Sequence, residues 1–323
     1  MIDRREVLKG LAAATLVPAA RPVTAQGELV KILVGFAPGT ATDALGRMLA
    51  KKMKGLYAPS LVVDNRVGAS GQLAVLAAKS APADGSTMLV CAMTVLSVYP
   101  HTFAKVGYDP VKDLVPVGNC ATADFAFAVG PVVPEQVRTV PQFIEWCKAN
   151  PAQATFATGA TGSKLHFAGI KLGVEAGVKL THVGYTNGGV ALTDLAGGAV
   201  PAYVGVVPTV LPFLNRIRVL ATMGSRRSRF LPDIPTLMEQ GFRNMVINDT
   251  LGLYLPPRAS QEQVQRLHAA MVKALVTAEA ATTLSTIGME ATPSGADETA
   301  AQLRAELDQW GRFVRRIGFK QDT

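Results

Sequence analysis

The stretch Phe36-Ala37-Pro38-Gly39-Thr40-Ala41-Thr42-Asp43 joins an apolar run at residues 29–35 to a helical pattern with its apolar residues on one face. This order predicts a strand, a tight turn and a helix. A helix that begins directly after such a turn presents unpaired N–H groups and the positive end of its dipole to the space in front of it. The stretch therefore predicts a place where a small anion can bind.

A second stretch repeats this arrangement in the middle of the chain. It reads Ala157-Thr158-Gly159-Ala160-Thr161-Gly162-Ser163-Lys164-Leu165-His166, after a predicted strand at residues 155–158. Apolar residues at helical spacing follow it. The sequence thus predicts two glycine-rich turns that form two halves of one anion-binding cleft.

Length and alternation of elements indicate the fold class. The chain has 323 residues, of which 49% are hydrophobic, enough for about two domains of roughly 150 residues each. Strand and helix patterns alternate along it, which is typical of mostly parallel sheets wrapped by helices, an α/β fold. Further strands are predicted at residues 60–63, 87–92, 125–129, 180–183, 202–206, 219–223 and 252–255. The C-terminal part is helical, with a capping-box pattern at Ser260 and Gln263.

The first 25 residues have the pattern of an export signal. Arg4, Arg5 and Lys9 precede an apolar stretch at residues 11–20, and small residues at 23–25 resemble a cleavage site. We therefore expect a protein of the periplasm that keeps no membrane anchor from this stretch. The paired arginines leave two export routes open, twin-arginine and general secretory.

Charge and cysteine usage exclude several function classes. The net charge is +8 and falls to +6 when residues 1–25, with four basic and two acidic residues, are left out. The basic residues are scattered with few aromatic ones between them, so we expect no nucleic-acid partner. Cys91, Cys120 and Cys147 are widely spaced, which predicts buried free thiols, with a single disulfide as the alternative. No cofactor and no metal site is predicted.

Seven short motifs then carry a family resemblance over nearly the whole chain. They are Phe36-Ala37-Pro38-Gly39 with Thr42-Asp43, Val62-Val63-Asp64-Asn65-Arg66 with Gly68-Ala69, Asp84-Gly85, Tyr108-Asp109-Pro110-Val111-Lys112-Asp113, Gly162-Ser163 with His166, Ala191-Leu192-Thr193-Asp194-Leu195 with Gly197-Gly198, and Leu231-Pro232-Asp233-Ile234-Pro235-Thr236. In this content and order the chain resembles the solute receptors of tripartite tricarboxylate transport systems, often called Bug receptors.

The resemblance implies a two-domain periplasmic-binding-protein fold, the Venus flytrap, with two crossover strands near residues 126–129 and 251–255. Residues 27–125 plus 252–323 would form domain one, and residues 126–251 domain two. It implies an extracytoplasmic receptor that binds a small carboxylate in the interdomain cleft, for uptake or for sensing. A membrane permease is the candidate partner, and we expect a monomer.

The resemblance also implies a set of ligand-binding residues around the two turns and a third contact strip. They are Ala37, Gly39, Thr40, Asp43, Thr161, Gly162, Ser163, His166, Tyr185 and Gly188. Asp43 and Ser163 have a second interpretation as helix caps. His166 lies in the first helical turn, where the dipole disfavours a positive imidazolium, so a neutral hydrogen-bonding role is expected.

Lys164 is an additional candidate, because its flexible stem could reach a second carboxylate of the ligand. A solvated surface lysine is the alternative. Residues 202–209 contain no carboxylate, and Pro201 stands where relatives commonly have Asp. Since a buried ammonium needs an acidic partner, we expect a ligand without a free amine.

An exported hydrolase that uses Ser163 and His166 is the alternative function. The sequence contains no Gly-x-Ser-x-Gly and no His-Glu-x-x-His motif. Two residues three apart at one helix start also make a poor nucleophile and base without a third orienting group. The prediction is therefore a binding protein, not an enzyme, with no catalytic residues.

Overall fold

A computed structural model describes residues 29–320, so the predicted export signal at residues 1–25 lies outside the described part. The strands are Val30–Val34 (β1), Leu61–Asn65 (β2), Thr87–Ala92 (β3), Val115–Val129 (β4), Thr155–Thr158 (β5), Thr181–Gly184 (β6), Ala202–Val206 (β7), Arg218–Thr222 (β8), Asn248–Leu255 (β9) and Glu290–Ala291 (β10). The helices are Ala41–Met53 (α1), Gln72–Lys79 (α2), Met93–Ser97 (α3), Tyr99–Thr102 (α4), Val140–Ala149 (α5), Lys164–Ala176 (α6), Gly188–Ala196 (α7), Val207–Val210 (α8), Gln261–Leu275 (α9), Ala278–Thr286 (α10) and Ala296–Ile317 (α11).

The strands form two groups that share the long strand β4. Residues 115–124 of β4 pair with β9, and β9 continues through β3 and β1 to β2. Residues 125–129 of β4 pair with β7 and β8, and β7 leads to β5 and β6. We call the group with β1–β3, β9 and β10 the first lobe, and the group with β5–β8 the second lobe. This is the predicted α/β architecture of two lobes joined by crossover strands.

Strand directions aim the two glycine-rich turns at each other. β1 is parallel to β3, and the antiparallel pairs β3 with β9 and β9 with β4 make β1 parallel to β4. β5 is parallel to β7, which is antiparallel to β4. Because β4 runs from the first lobe into the second, β1 ends toward the second lobe and β5 ends toward the first. Both turns follow these carboxyl ends, where open α/β sheets bind their ligands.

The crossings lie a few residues before the predicted positions. β4 changes pairing partner between Asp124 and Phe125. The chain returns at Ile247, whose N–H donates to Met223 O in the second lobe, immediately before β9 begins. The first half of β4 was not predicted, because Pro116 and Gly118 interrupt the strand pattern of the sequence. In the structure the pairing of β4 with β9 is irregular around these residues.

Helices cover both lobes and bury the core. α1 packs on β1, β2 and β3, whereas α6 and α7 pack on β5 and β7. The C-terminal helix α11 packs on β4 and α3 of the first lobe, and its Trp310 and Phe313 rings contact Phe167 of α6. The three cysteines are free and buried, as predicted. Within residues 29–320 no helix is both long and apolar enough to cross a membrane.

Candidate functional site

The first turn is stabilised by its own short hydrogen bonds. Gly39 has a φ of 86°, a left-handed conformation that glycine adopts without steric cost. The Thr40 Oγ1 hydroxyl donates to Ala37 O at 2.8 Å and accepts from Asp43 N at 3.4 Å, so Thr40 is the N-cap of α1. The N–H groups of Ala41 and Thr42 have no hydrogen-bond partner within residues 29–320, and they remain available to an anion.

The Asp43 side chain is buried and fully occupied within the first lobe. It is 2% exposed, and its carboxylate accepts from Gly39 N at 2.9 Å, Arg47 Nε at 2.9 Å and Asn65 Nδ2 at 2.8 Å. Burial alone would raise the pKa of this carboxyl, but the hydrogen bonds from Arg47, Gly39 and Asn65 lower it overall. Asp43 is therefore an anion that holds the turn and occupies the Gly39 N–H. The interpretation of Asp43 as the helix cap is wrong, because Thr40 is the N-cap of α1.

A strained loop lies against the first turn. Residues 68–71 all have positive φ, and two of them are not glycine, Ala69 at 46° and Ser70 at 56°. A side chain at Gly35 would collide with the backbone of Gly71, so the loop and the turn are packed without space between them. Strain of this kind persists only where the surroundings enforce it, and it is common beside binding sites.

The second turn has the same hydrogen-bond pattern. Gly162 has a φ of 75°. The Ser163 hydroxyl donates to Ala160 O at 2.6 Å and accepts from Leu165 N at 3.2 Å, which makes Ser163 the N-cap of α6. The predicted capping role of Ser163 is confirmed. Within residues 29–320 the N–H groups of Lys164 and His166 lack a partner.

His166 takes the position in the second turn that Asp43 has in the first. Gly162 N donates to His166 Nδ1 at 3.2 Å, so this ring nitrogen is an acceptor and carries no proton. Burial, with a smaller contribution from His182, lowers the pKa of His166 to about 3. The prediction of a neutral, hydrogen-bonding His166 is confirmed.

His182 belongs to the same cluster, which the sequence did not indicate. Its ring stacks on His166 with a centroid distance of 3.9 Å, and its Nε2 lies 2.8 Å from Thr158 Oγ1. Burial lowers the pKa of His182 to about 4. The only available signal was the position of His182 on β6, beside β5, because β5 leads into the second turn.

The two turns therefore share their geometry and differ in charge. In each, a residue four positions after a left-handed glycine accepts the N–H of that glycine. The acceptor is an anion in the first lobe and a neutral ring in the second. Because an anion near the helix start offsets its dipole, the N-terminus of α6 keeps more of its positive potential than that of α1.

A third connection, between β6 and α7, lies directly against the second turn. A Cβ atom on Gly184 would lie 2.6 Å from Thr161 Oγ1, and one on Gly159 would collide with the Gly188 backbone. The Tyr185 N–H donates to Thr158 O at 2.9 Å, while its hydroxyl donates to Asp194 Oδ2 at 2.9 Å. The structure thus brings the second-lobe candidates Thr161, Tyr185 and Gly188 together.

Lys164 is buried, and the alternative of a solvated surface lysine is wrong. Its side chain is 2% exposed, and Nζ lies 2.7 Å from Glu306 Oε2 and 3.6 Å from Asp249 Oδ1. Nζ also donates to Asn248 O at 3.3 Å. The ammonium therefore already has two carboxylate partners within the protein, which argues against the predicted second role as a partner for the ligand.

Comparison with known proteins gives the family. The profile described as tripartite tricarboxylate transporter family receptor matches residues 45–319. Protein BugT of Bordetella pertussis is 28% identical over 93% of this chain and 94% of its own length.

Two solved structures of Rhodopseudomonas palustris proteins have the same fold. Rpa4515 with adipate is 27% identical, with a TM-score of 0.78 over 91% of this chain and 99% of that one. MatC with bound malate is 24% identical, with a TM-score of 0.74 over 91% of this chain and 100% of that one. With these lobes, these turns and this profile match, the chain belongs to the tripartite tricarboxylate transporter family of receptors.

Proposed function

We propose that this protein is an extracytoplasmic solute receptor that binds one small carboxylate between its lobes. The observation that carries the proposal is the pair of opposed turns, each with free N–H groups at a helix start. Carboxylates fit such donors in both charge and geometry. The related structures that hold adipate and malate support this ligand class.

The ligand site would combine both lobes. Ala37, Gly39, Thr40 and Asp43 would form its wall in the first lobe, where Asp43 acts by holding the turn. Thr161, Gly162, Ser163 and His166 would form the opposite wall, with Tyr185 and Gly188 beside them. The domain division at residues 27–125 plus 252–323 and 126–251 is part of this proposal, and the change of pairing along β4 supports it.

Cell location and partners follow from the receptor role. The basic and apolar pattern of residues 1–25 supports export to the periplasm, by either route named above. Membership in a transporter receptor family supports delivery of the ligand to a membrane permease. We propose that the receptor acts as a monomer, without a metal or cofactor.

Binding without turnover is the favoured chemistry. The Ser163 hydroxyl donates its proton to Ala160 O, and His166 Nδ1 accepts from Gly162 N rather than from Ser163. A hydrolase would need the serine proton directed at a base. The hydrogen bonds of Ser163 and His166 instead support structural roles in an anion-binding turn.

Calorimetric titration with adipate, malate and 2-aminoadipate tests the proposal. We expect one site with a dissociation constant near the micromolar scale, or about −8 kcal/mol, for at least one diacid. We also expect 2-aminoadipate to bind more weakly than adipate, because residues 202–209 of the second lobe contain no carboxylate that could pair with its ammonium.

Gly162→Val is the matched variant, because a β-branched residue strongly disfavours the left-handed conformation that Gly162 adopts. It should abolish binding, while circular dichroism stays that of the wild type. The proposal would be contradicted if no carboxylate in a panel of mono-, di- and tricarboxylates bound saturably, or if the protein hydrolysed an ester substrate.

A further inference from the structure

The Lys164 ammonium connects the second turn to the first lobe. Lys164 is the first residue of α6, directly after the N-cap Ser163. All three of its partners, Asn248 O, Asp249 Oδ1 and Glu306 Oε2, belong to β9 or α11. The side chain therefore extends from the candidate ligand turn of one lobe into the buried interior of the other.

The two carboxylates are themselves fixed within the first lobe. Glu306 accepts from Ser97 Oγ at 2.9 Å and from Gln302 Nε2 at 3.0 Å. Asp249 Oδ1 accepts from Thr94 N at 3.1 Å, at the start of α3. Both carboxylates are thus held in place before Lys164 reaches them, and Lys164 is the partner that the second lobe supplies.

Separation of the lobes would disrupt this cluster. Burial raises the pKa of Asp249, the Lys164 ammonium opposes this rise, and the negative charge of Glu306 adds to it. The position therefore tolerates negative charge poorly without its cation. Removing the cation from two partly buried carboxylates is strongly unfavourable, because it leaves their charge uncompensated. The cluster consequently favours the arrangement in which α6 lies against the first lobe.

We propose that Lys164 is a positioning residue that holds the ligand turn of the second lobe against the first lobe and so slows release of the bound carboxylate. This inference rests on the proposed receptor function. Lys164 would act through the position of the turn and would not contact the ligand itself.

A direct contact between Lys164 and the ligand makes different predictions. A lysine that pairs with a second ligand carboxylate would matter for adipate and not for hexanoate, which has the same carbon chain and only one carboxylate. A lysine that holds the lobes together would affect both ligands equally. Loss of Glu306 separates the two roles further, because it frees the ammonium for a ligand but weakens the contact between lobes.

The experiment uses the full mature chain with three variants, Lys164→Met, Glu306→Gln and Lys171→Met. Lys171 is the matched control, because it lies on α6 and its partners, Asn244 O and Glu175, belong to the same stretch of chain between the crossings. Dissociation rates and affinities for adipate and hexanoate are measured by stopped-flow fluorescence and calorimetry. Small-angle scattering measures how open the ligand-free proteins are.

We expect Lys164→Met to speed dissociation and weaken both ligands by the same factor, at least about tenfold, with a larger radius of gyration without ligand. Glu306→Gln should change the same quantities in the same direction, and Lys171→Met should match the wild type. Three results would overturn the inference. They are a Lys164→Met variant that loses affinity for adipate but not for hexanoate, a Glu306→Gln variant that binds adipate more tightly, and dissociation rates and scattering that are unchanged in Lys164→Met. A wild type that binds no carboxylate would instead refute the receptor function, and scattering would still test the contact between lobes.

Discussion

Replacing His166 with aspartate would give the second turn a carboxylate like that of the first, but without its cation, because Ile170 stands where Arg47 pairs with Asp43. The present acceptor is a neutral ring nitrogen 3.2 Å from Gly162 N, whereas the first turn has a carboxylate 2.9 Å from Gly39 N. His166→Asp keeps an acceptor near Gly162 and adds one negative charge. We expect it to weaken carboxylate binding strongly while the turn keeps its shape.

The size of the effect follows from simple electrostatics. A ligand carboxylate that accepts from the free N–H groups of α6 lies about 3 Å from them, and therefore roughly 6 Å from a carboxylate at position 166. At an effective dielectric constant of about 20, two like charges at roughly 6 Å repel by about 3 kcal/mol. This corresponds to a loss of roughly 100-fold in affinity.

His166→Asn is the control, because it removes the same ring and its stacking on His182 without adding charge. Calorimetric titration with adipate at pH 8 compares the two variants, and circular dichroism checks that both are folded. At pH 8 His182, with a pKa that burial lowers to about 4, is neutral and cannot offset the new charge. Affinities of the Asp and Asn variants within threefold of each other would refute the argument that a neutral second turn captures the anion.

Three further predictions concern stability. Burial lowers the pKa of His166 to about 3 and that of His182 to about 4, against about 6.5 in the unfolded chain. The unfolded chain thus binds more protons, and the free energy of unfolding should fall from pH 6.5 toward pH 4, by roughly 2 kcal/mol per histidine at pH 5. Replacing both His166 and His182 with asparagine should flatten this pH dependence in urea titrations. An unchanged slope would contradict the assigned pKa values. Burial raises the pKa of Asp124 to about 6, so its charged form opposes folding above that pH. Asp124→Asn should therefore raise the free energy of unfolding by roughly 1 to 2 kcal/mol at pH 8 and by almost nothing at pH 4. A gain in stability that persists at pH 4 would point to another cause. Ser163→Ala and Ser260→Ala each remove an N-cap hydroxyl and should each cost about 1 kcal/mol of stability. In calorimetry only Ser163→Ala should weaken adipate binding. An equal loss of affinity in Ser260→Ala would show that Ser163 has no specific role in the binding site.

The parts of the site that sequence reasoning could predict are those formed by neighbours in the chain. The cap Ser163 and the neutral, hydrogen-bonding His166 were predicted, and their contacts join residues two and four positions apart. The sequence indicated Asp43 as the cap of the first turn, where the structure has Thr40. Such contacts follow from glycine, hydroxyl and acceptor spacing, which a single sequence displays. The strands β3, β5 and β7 were likewise predicted at their observed bounds, because each is an uninterrupted strand pattern.

Contacts between distant parts of the chain were not predictable in this way. Glu306 and Lys164 are 142 positions apart, and an isolated lysine in an amphipathic helix has the same local pattern whether it faces solvent or a buried carboxylate. The sequence did not indicate the contact of His182 with His166 either, because this contact depends on the order of strands β5 and β6. Both outcomes were set by tertiary packing, which the spacing of residues does not record.

The comparison of the two turns shows why function needs more than a recurring pattern. Spacing alone makes the turns equivalent, since both have a left-handed glycine and an acceptor four residues later. Chemistry separates them, because the first turn has the Asp43 carboxylate, paired with Arg47, at the start of α1, whereas the second has the neutral His166 ring at the start of α6. The cation of Lys164, which begins α6, points away into the first lobe and pairs with protein carboxylates there. We therefore propose that the backbone N–H groups at the start of α6 are the main donors to an incoming carboxylate, and that the side chain of Lys164 couples binding there to the contact between the lobes.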